Sequence, residues 1–342
     1  MLSLCQHGYE SLLERELGEA GLVVVEKGAG WARADLLGSD PVRHSLAELV
    51  FPQLTLMAPR ELKGESVNAL AQQLADFFFE SLRGERIEAA WPCVFSTVAE
   101  VVGLGRRASA VEKAFGELLK KKLSRLAKLA VAELPRGAGQ ARGLFVFFAD
   151  FGRVYVAREA WLGGQRRMAD DELAPSRSYL KVEEAYIVLG REPRAGETVV
   201  DLGAAPGGWS FSAAKRGARV IAVDNGPLKG GAANNPLIEH RLEDAFRFGP
   251  PPGETYDWLF CDLVEEPHHV IQNIVAPWLA RGWCRHFVIN LKFGHVDALG
   301  LLREVRAKDS PFITHARALR IRHLYHDREE FTLVGDTAGT KP

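Results

Sequence analysis

Hydrophobic positions along this chain follow two regimes. Over residues 1–60, Leu12, Leu13, Leu17 and Ala20 recur at helical spacing and Gly21 supplies a stop. Leu22–Val25 and Trp31–Leu36 read as strands flanking Gly28 and Gly30. That pattern predicts a small α+β unit. Residues 61–155 differ in character. Val67–Leu82 reads as an amphipathic helix and Cys93–Val98 as a strand. Ala108–Glu133 reads as a second long helix with an apolar stripe of Val111, Phe115, Leu119, Leu123 and Leu126, and Gly143–Phe148 as a strongly apolar strand. Residues 156–174, through Trp161 and Arg167, read as a connector. From 175 to 342 strands near 198–202, 219–224, 257–262, 286–291 and 330–335 alternate with helices at 178–189, 208–216, 267–281 and 296–308. Such alternation predicts an α/β fold with a mostly parallel sheet covered by helices on both faces, binding its ligand at the carboxyl ends of the strands.

Composition narrows the class. With 47% hydrophobic and 25% charged residues and a net charge of −1, the chain has no bulk attraction for polyanions, so any contact with nucleic acid must come from a local patch. Residues 101–150 offer one, with ten Lys and Arg against four Asp and Glu. Arg106, Arg107, Lys120, Lys121, Lys122, Arg125 and Lys128 dominate it. Lysines facing outward from the apolar stripe can neutralise RNA phosphates, although an ordinary solvated helix face has the same composition. Cys5, Cys93, Cys261 and Cys284 form no C-x-x-C pair, which argues against a zinc site or other metal centre and for reduced thiols in a cytoplasmic protein. Neither a signal peptide nor a membrane span is expected, because no basic segment with a long apolar run opens the chain and no window approaches 18 uncharged apolar residues.

The densest chemical signal is Val200–Ser210, VDLGAAPGGWS, a strand end, a glycine turn and a helix start. Asp201, Gly203, Ala205, Pro206, Gly207, Gly208 and Trp209 are its candidate cofactor residues. Asp224 closes the next strand, where a carboxylate can accept both hydroxyls of a ribose. The spacing is D-x-G-x-x-x-G-G with a proline inside the turn. That form departs from a dinucleotide fingerprint and suits S-adenosyl-L-methionine (SAM), which has no pyrophosphate to cradle. Asp262 and Lys292 each end a buried strand, Lys181 lies in the first turn of a helix that Ser176 or Ser178 can cap, and Glu330 opens the last strand. Lysines at such sites need a carboxylate partner or titrate downward. Two lysines and two carboxylates at one SAM pocket suit methyl transfer to a ribose 2′-hydroxyl. A lysine with its pKa lowered by burial and a second cation would take the hydroxyl proton. Base N-methylation would favour an Asn/Asp-Pro-Pro-aromatic motif, which Asp262–Glu265 lacks. C5-methylation would need a reactive cysteine, and Cys261 and Cys284 sit in apolar contexts. The Pro206 turn disfavours a nicotinamide oxidoreductase, and the lysines disfavour a nonenzymatic RNA binder.

The segments APSRSYLKVEEAY (174–186), VDLGAAPGGWS (200–210), AVDNGP (222–227), LEDAFRF (242–248), CDLVEEP (261–267), INLK (289–292) and LYHDREE (324–330) closely resemble the RlmM family of bacterial 23S rRNA cytidine 2′-O-ribose methyltransferases. The resemblance implies a catalytic set of Lys181, Asp262, Lys292 and Glu330, with Lys292 as proton acceptor. It also implies SAM contacts at Ser178, Ala205–Gly208, Asp224 and Asp244, with Asp262 near the methyl donor. CQHGYESLLERELGEAG (5–21) is similar to the family's opening segment. The family architecture implies a ferredoxin-like unit at 1–60, a THUMP-like RNA-binding domain at 61–155 and a Rossmann-like methyltransferase domain with a seven-stranded sheet at 175–342. It further implies a monomer acting on a peptidyl-transferase-centre cytidine of 23S rRNA before subunit assembly. Another rRNA or tRNA nucleotide, or another substrate class, is the alternative.

Overall fold

Residues 1–60 follow the order β1 (Leu2–Leu4), α1 (Glu10–Glu19), β2 (Leu22–Gly28), β3 (Trp31–Leu36), α2 (Arg43–Glu48) and β4 (Leu54–Met57). The computed structural model describes residues 1–36, 43–82, 84–98 and 101–338 of the chain. β1 lies between β3 and β4, antiparallel to both. The resulting order β2-β3-β1-β4 is the ferredoxin-like arrangement of a βαββαβ unit.

This sheet continues past residue 60. The following elements are β5 (Arg60–Lys63), α3 (Val67–Ser81), β6 (Trp91–Thr97), α4 (Leu104–Lys122), α5 (Ser124–Leu129), β7 (Ala130–Val131), β8 (Gly139–Phe148) and β9 (Arg153–Leu162). β4 pairs with β9, which also pairs with β5 and β8, so one sheet spans the first unit, Met1–Gly164. Two expectations are corrected here. The connector expected at 156–174 is strand as far as Leu162. β9 lies inside the sheet, and its charged members hid it: Arg153 is bound to Glu26 and Glu61, and the buried Arg158 donates to the Gly143 carbonyl and to Glu85. The single helix expected over 108–133 starts earlier and breaks at Leu123 (φ −140°, ψ 63°). The break comes from tertiary pairing. Trp91 Nε1 donates to the Leu126 carbonyl at 3.0 Å, and Ala130–Val131 pair with Trp91–Pro92. The stripe Val111, Phe115 and Leu119 is buried, and Phe115 meets Phe78 and Phe95 edge to face or tilted.

The second unit, Gln165–Pro342, contains α6 (Tyr179–Leu189), β10 (Thr198–Leu202), α7 (Gly208–Lys215), β11 (Arg219–Val223), β12 (Ile238–Arg241), β13 (Tyr256–Cys261), β14 (Cys284–Lys292), β15 (Ala316–Arg322) and β16 (Glu330–Thr337). Its described strands form a seven-stranded sheet in the order β12-β11-β10-β13-β14-β16-β15. β10 to β14 are parallel and β16 runs antiparallel to both neighbours. The architecture is Rossmann-like and mostly parallel, as the alternation predicts. The two strands not foreseen, β12 and β15, are the sheet's edges, and their charged residues (Glu239, Arg241, Arg317, Arg320, Arg322) mask any apolar run. The helix expected at 267–281 holds, with a π-helical stretch at Ile271–Val275. Trp258, Phe260, Val288 and Val334 pack with Tyr186 and Trp209 in the core beneath the strand ends.

Candidate active site

Parallel strands deliver their carboxyl ends to one side of the sheet. Asp224 and Asp262 directly follow β11 and β13, and Lys292 ends β14. β16 runs the other way, so its first residue rather than its last reaches that side. The register sets Glu330 opposite Lys292. Lys181 arrives from the first turn of α6.

These four side chains meet. Lys292 Nζ is 2.6 Å from Asp262 Oδ1 and 3.4 Å from Glu330 Oε2, while Lys181 Nζ is 2.7 Å from Glu330 Oε1 and 3.6 Å from Asp262 Oδ2. The cluster is a closed square of alternating charges with no net charge. Asp262 also accepts from Ser178 Oγ at 2.8 Å and Asn290 Nδ2 at 3.1 Å. Ser178 therefore reaches across to Asp262 instead of capping α6, and Ser176 does not cap it either. The lysines differ in depth: the Lys292 side chain is 22% exposed against 12% for Lys181.

The pairing decides the electrostatics. Burial opposes the charge on Lys181, but Asp262 and Glu330 outweigh it and hold the ammonium above the ordinary lysine range. The downward shift expected of a buried lysine beside a second cation is thus reversed at Lys181, because the second cation brings two carboxylates with it. Burial likewise opposes ionisation of Asp262 and Glu330. The two lysines override it, and both carboxyls stay below their usual range.

The glycine turn reaches this cluster through Leu263, the residue after Asp262, against which Gly203 packs. Gly203 and Gly207 adopt φ of +81° and +105°, which favour glycine. A Cβ on Gly203 would come within 2.6 Å of Leu263, and one on Gly207 within 2.5 Å of Ala232, so the turn is packed as well as bent. The Ala205–Pro206 peptide is cis. Asp224 accepts the amides of Ala205 at 3.0 Å and Gly226 at 2.7 Å, one per carboxylate oxygen. Each oxygen keeps a second lone pair for a ribose hydroxyl. A glycine cradle with acceptors left open on a half-buried carboxylate fits the nucleoside end of SAM. Asp244 is exposed and accepts the Phe246 amide at 3.0 Å, shaping its own turn.

Two motif residues stand apart from that crevice. Asp201 is 1% exposed, takes the Ser210 hydroxyl at 2.7 Å, and is pushed by burial up to about 7. Trp209 is core: it packs edge to face on Phe260 and donates Nε1 to the Ser178 carbonyl at 2.9 Å. Both support the turn from below. Cys261 and Cys284 are buried, and burial pushes both thiols up to about 12, which leaves them inert.

Three residues to which the sequence assigned no role belong to the site. Asn290 and Thr332 lie one rung below Lys292 and Glu330, directly opposite each other, and the Asp327 carboxyl oxygens lie 3.2 and 3.1 Å from Thr332 Oγ1. The signal for Asn290 was available, since it precedes Lys292 by two and a strand places such residues on one face. In the first unit Arg106, Lys120, Lys121, Lys122, Arg125 and Lys128 are exposed, as expected. Arg107 is not among the free cations. Its guanidinium is tied to the carbonyls of Gly64 and Glu65.

The FtsJ-like methyltransferase family matches residues 174–275. The chain is 33% identical over 362 aligned positions to ribosomal RNA large subunit methyltransferase M of Xylella fastidiosa strain M12, covering 97% of each. It is 38% identical over 245 positions to the protein of the same name from Laribacter hongkongensis, covering 67% of this chain and 66% of that one. Among solved structures, a possible methylase from Clostridium difficile 630 aligns over 100% of this chain and 98% of its own at 14% identity, with a TM-score of 0.37, too slight a likeness to rest anything on.

Proposed function

This chain belongs to the ribosomal RNA large subunit methyltransferase M family, and from that membership we propose that it methylates a ribose 2′-hydroxyl of 23S rRNA, using SAM as cofactor. The observation that carries the chemistry is the charge-alternating square of Lys181, Asp262, Lys292 and Glu330 at the strand ends. When bound, SAM supplies an electrophilic methyl group on a sulfonium sulfur. The residues supply the rest. Asp224 and the turn at Gly203–Gly208 hold the nucleoside portion. Lys292 Nζ, in its neutral form, accepts the 2′-hydroxyl proton as the hydroxyl oxygen attacks. Asp262 and Glu330 orient Nζ, and Lys181 balances their charge so that they remain ionised. Correct alignment of hydroxyl and methyl lowers the barrier further.

The target within this reading is a cytidine of the peptidyl-transferase centre, taken as naked RNA before subunit assembly. The protein acts as a cytoplasmic monomer. Residues 61–155 serve as a THUMP-like RNA-binding region following the ferredoxin-like unit at 1–60, with exposed cations of α4 and α5 on the RNA backbone. None of the described helices is long and apolar enough to cross a membrane. The test is incubation of naked 23S rRNA with methyl-labelled SAM, followed by nuclease digestion. Label on the ribose of one cytidine supports the reading, and label on a base or on protein overturns it.

A further inference from the structure

β14 and β16 meet over two successive rungs on the same face: Lys292 opposite Glu330, and Asn290 opposite Thr332. The second rung is sealed, with Asn290 1% and Thr332 2% exposed. Thr332 has one hydroxyl proton to give. Its Oγ1 is 2.6 Å from Asn290 Oδ1, closer than to either oxygen of Asp327, at 3.2 and 3.1 Å. Donation to Asn290 sets the amide's orientation. With Oδ1 towards Thr332, Nδ2 faces Asp262 Oδ1 at 3.1 Å, the same oxygen that Lys292 holds at 2.6 Å.

We propose that Asn290, held by Thr332, is a positioning residue for the transfer: it pins the Asp262 carboxylate against Lys292 and weakens that carboxylate's grip on the ammonium. A neutral amide is suited to both tasks. It adds a donor without adding charge, so it fixes the carboxylate while sharing the electron density that would otherwise go to Lys292 alone. The titratable groups around this point are Lys181 from α6, Asp201 from β10, Cys261 at the end of β13 and Asp262 after it, Lys292 from β14, His323 after β15, and Asp327 and Glu330 from β16 and the turn before it. Asn290, set among them, does not titrate. Burial pushes Asp327 up to about 8, so at neutral pH its protonated carboxyl donates a hydrogen bond to Thr332 Oγ1 and leaves the threonine's own proton for Asn290. This role rests on Lys292 being the proton acceptor.

The deciding substitution is Asn290→Leu, close in volume but lacking the amide that donates to Asp262. Profiles of kcat against pH, with 23S rRNA and labelled SAM at saturation, should show its acidic limb moved to higher pH by up to about one unit, because a carboxylate that has lost a competing donor favours the charged lysine more strongly. KM for SAM should stay near the wild-type value. Thr332→Val keeps volume and removes the hydroxyl. Its kcat should fall about fivefold at unchanged KM. An Asn290→Leu profile that superimposes on the wild type sinks the role. If that variant does not fold, Thr332→Val decides, and an unchanged kcat overturns the inference. A wild-type protein that labels no ribose sinks the methyl-transfer reading itself, and this role with it.

Discussion

Both units of this chain gather cations, and they treat them in opposite ways. Along α4 and α5 the lysines and arginines stand in water. The three consecutive lysines at 120–122 are exposed, and the Lys122 ammonium lies 4.9 Å from the Phe79 ring. In the second unit Lys181 and Lys292 are folded against Asp262 and Glu330 at the edge of a core. Charges in water cost little to place, act additively, and are screened by salt within about 10 Å at 0.1 M ionic strength. Charges in a crevice carry a desolvation penalty that only close, well-aligned pairing offsets, so their effect depends on geometry. Residue type alone therefore does not say what a lysine does. The first set should be sensitive to salt and tolerant of single changes, and the second the reverse.

The sharpest way to break that contrast is at the buried side. Lys292→Ala should lower turnover by about 10³-fold, while SAM affinity measured by calorimetry stays within about threefold, since the lysine acts on the hydroxyl. An equal loss of SAM binding would remove Lys292 from the role of base. Asp224→Ala should do the opposite. Loss of a charged acceptor should weaken SAM binding about 10- to 100-fold, with kcat at saturating SAM much less affected. On the exposed side, Lys120→Glu, Lys121→Glu and Lys122→Glu combined should weaken rRNA binding. The slope of log affinity against log salt should become shallower by about two, from three phosphate contacts on single-stranded RNA. Filter binding at several salt concentrations reads this directly, and an unchanged affinity would make α4 an ordinary solvated helix.

A last expectation concerns stability rather than activity, and a buried acid on α6. Glu184 on α6 is fully buried and accepts the amides of Arg166 at 2.9 Å and Tyr325 at 3.0 Å, and burial pushes it up to about 8. An unfolded glutamate ionises near about 4.3, so between that value and 8 the folded state holds a proton that the unfolded state lacks. Stability must then fall as pH rises through this window, by up to about 1.4 kcal/mol per pH unit. Glu184→Gln keeps the acceptor and removes the titration. Its urea-unfolding free energy should decline less than the wild type's from pH 5 to 8. Parallel curves would show that Glu184 does not carry the dependence.

Much of the second unit was legible in the chain because its signals are local. Apolar runs ending in Asp262 and Lys292, the glycine turn after β10, and the carboxylate after β11 all announce a crevice at the strand ends. The chain was harder to read where a side chain is held by partners outside its own stretch. Trp209 and Asp201 belong to the motif by spacing, yet one packs on Phe260 and the other takes the Ser210 hydroxyl beneath the turn. The helix expected over 108–133 breaks at Leu123 because Trp91, 35 residues from Leu126, claims the backbone there. β9 was hidden by charges that find partners at Glu26, Glu61 and Glu85.

Periodicity and spacing were enough to establish an alternating α/β half, a SAM-type turn, and an inventory of two lysines and two carboxylates, since each depends only on neighbours a few residues apart. They could not say that β16 runs against the rest of its sheet. That reversal brings Glu330 to the crevice and sets Asn290 against Thr332, 42 residues away. Strand direction and register come from which faces bury together across the whole unit, and a side chain's charge state follows from the company that burial gives it. Neither quantity is carried by any short stretch of chain.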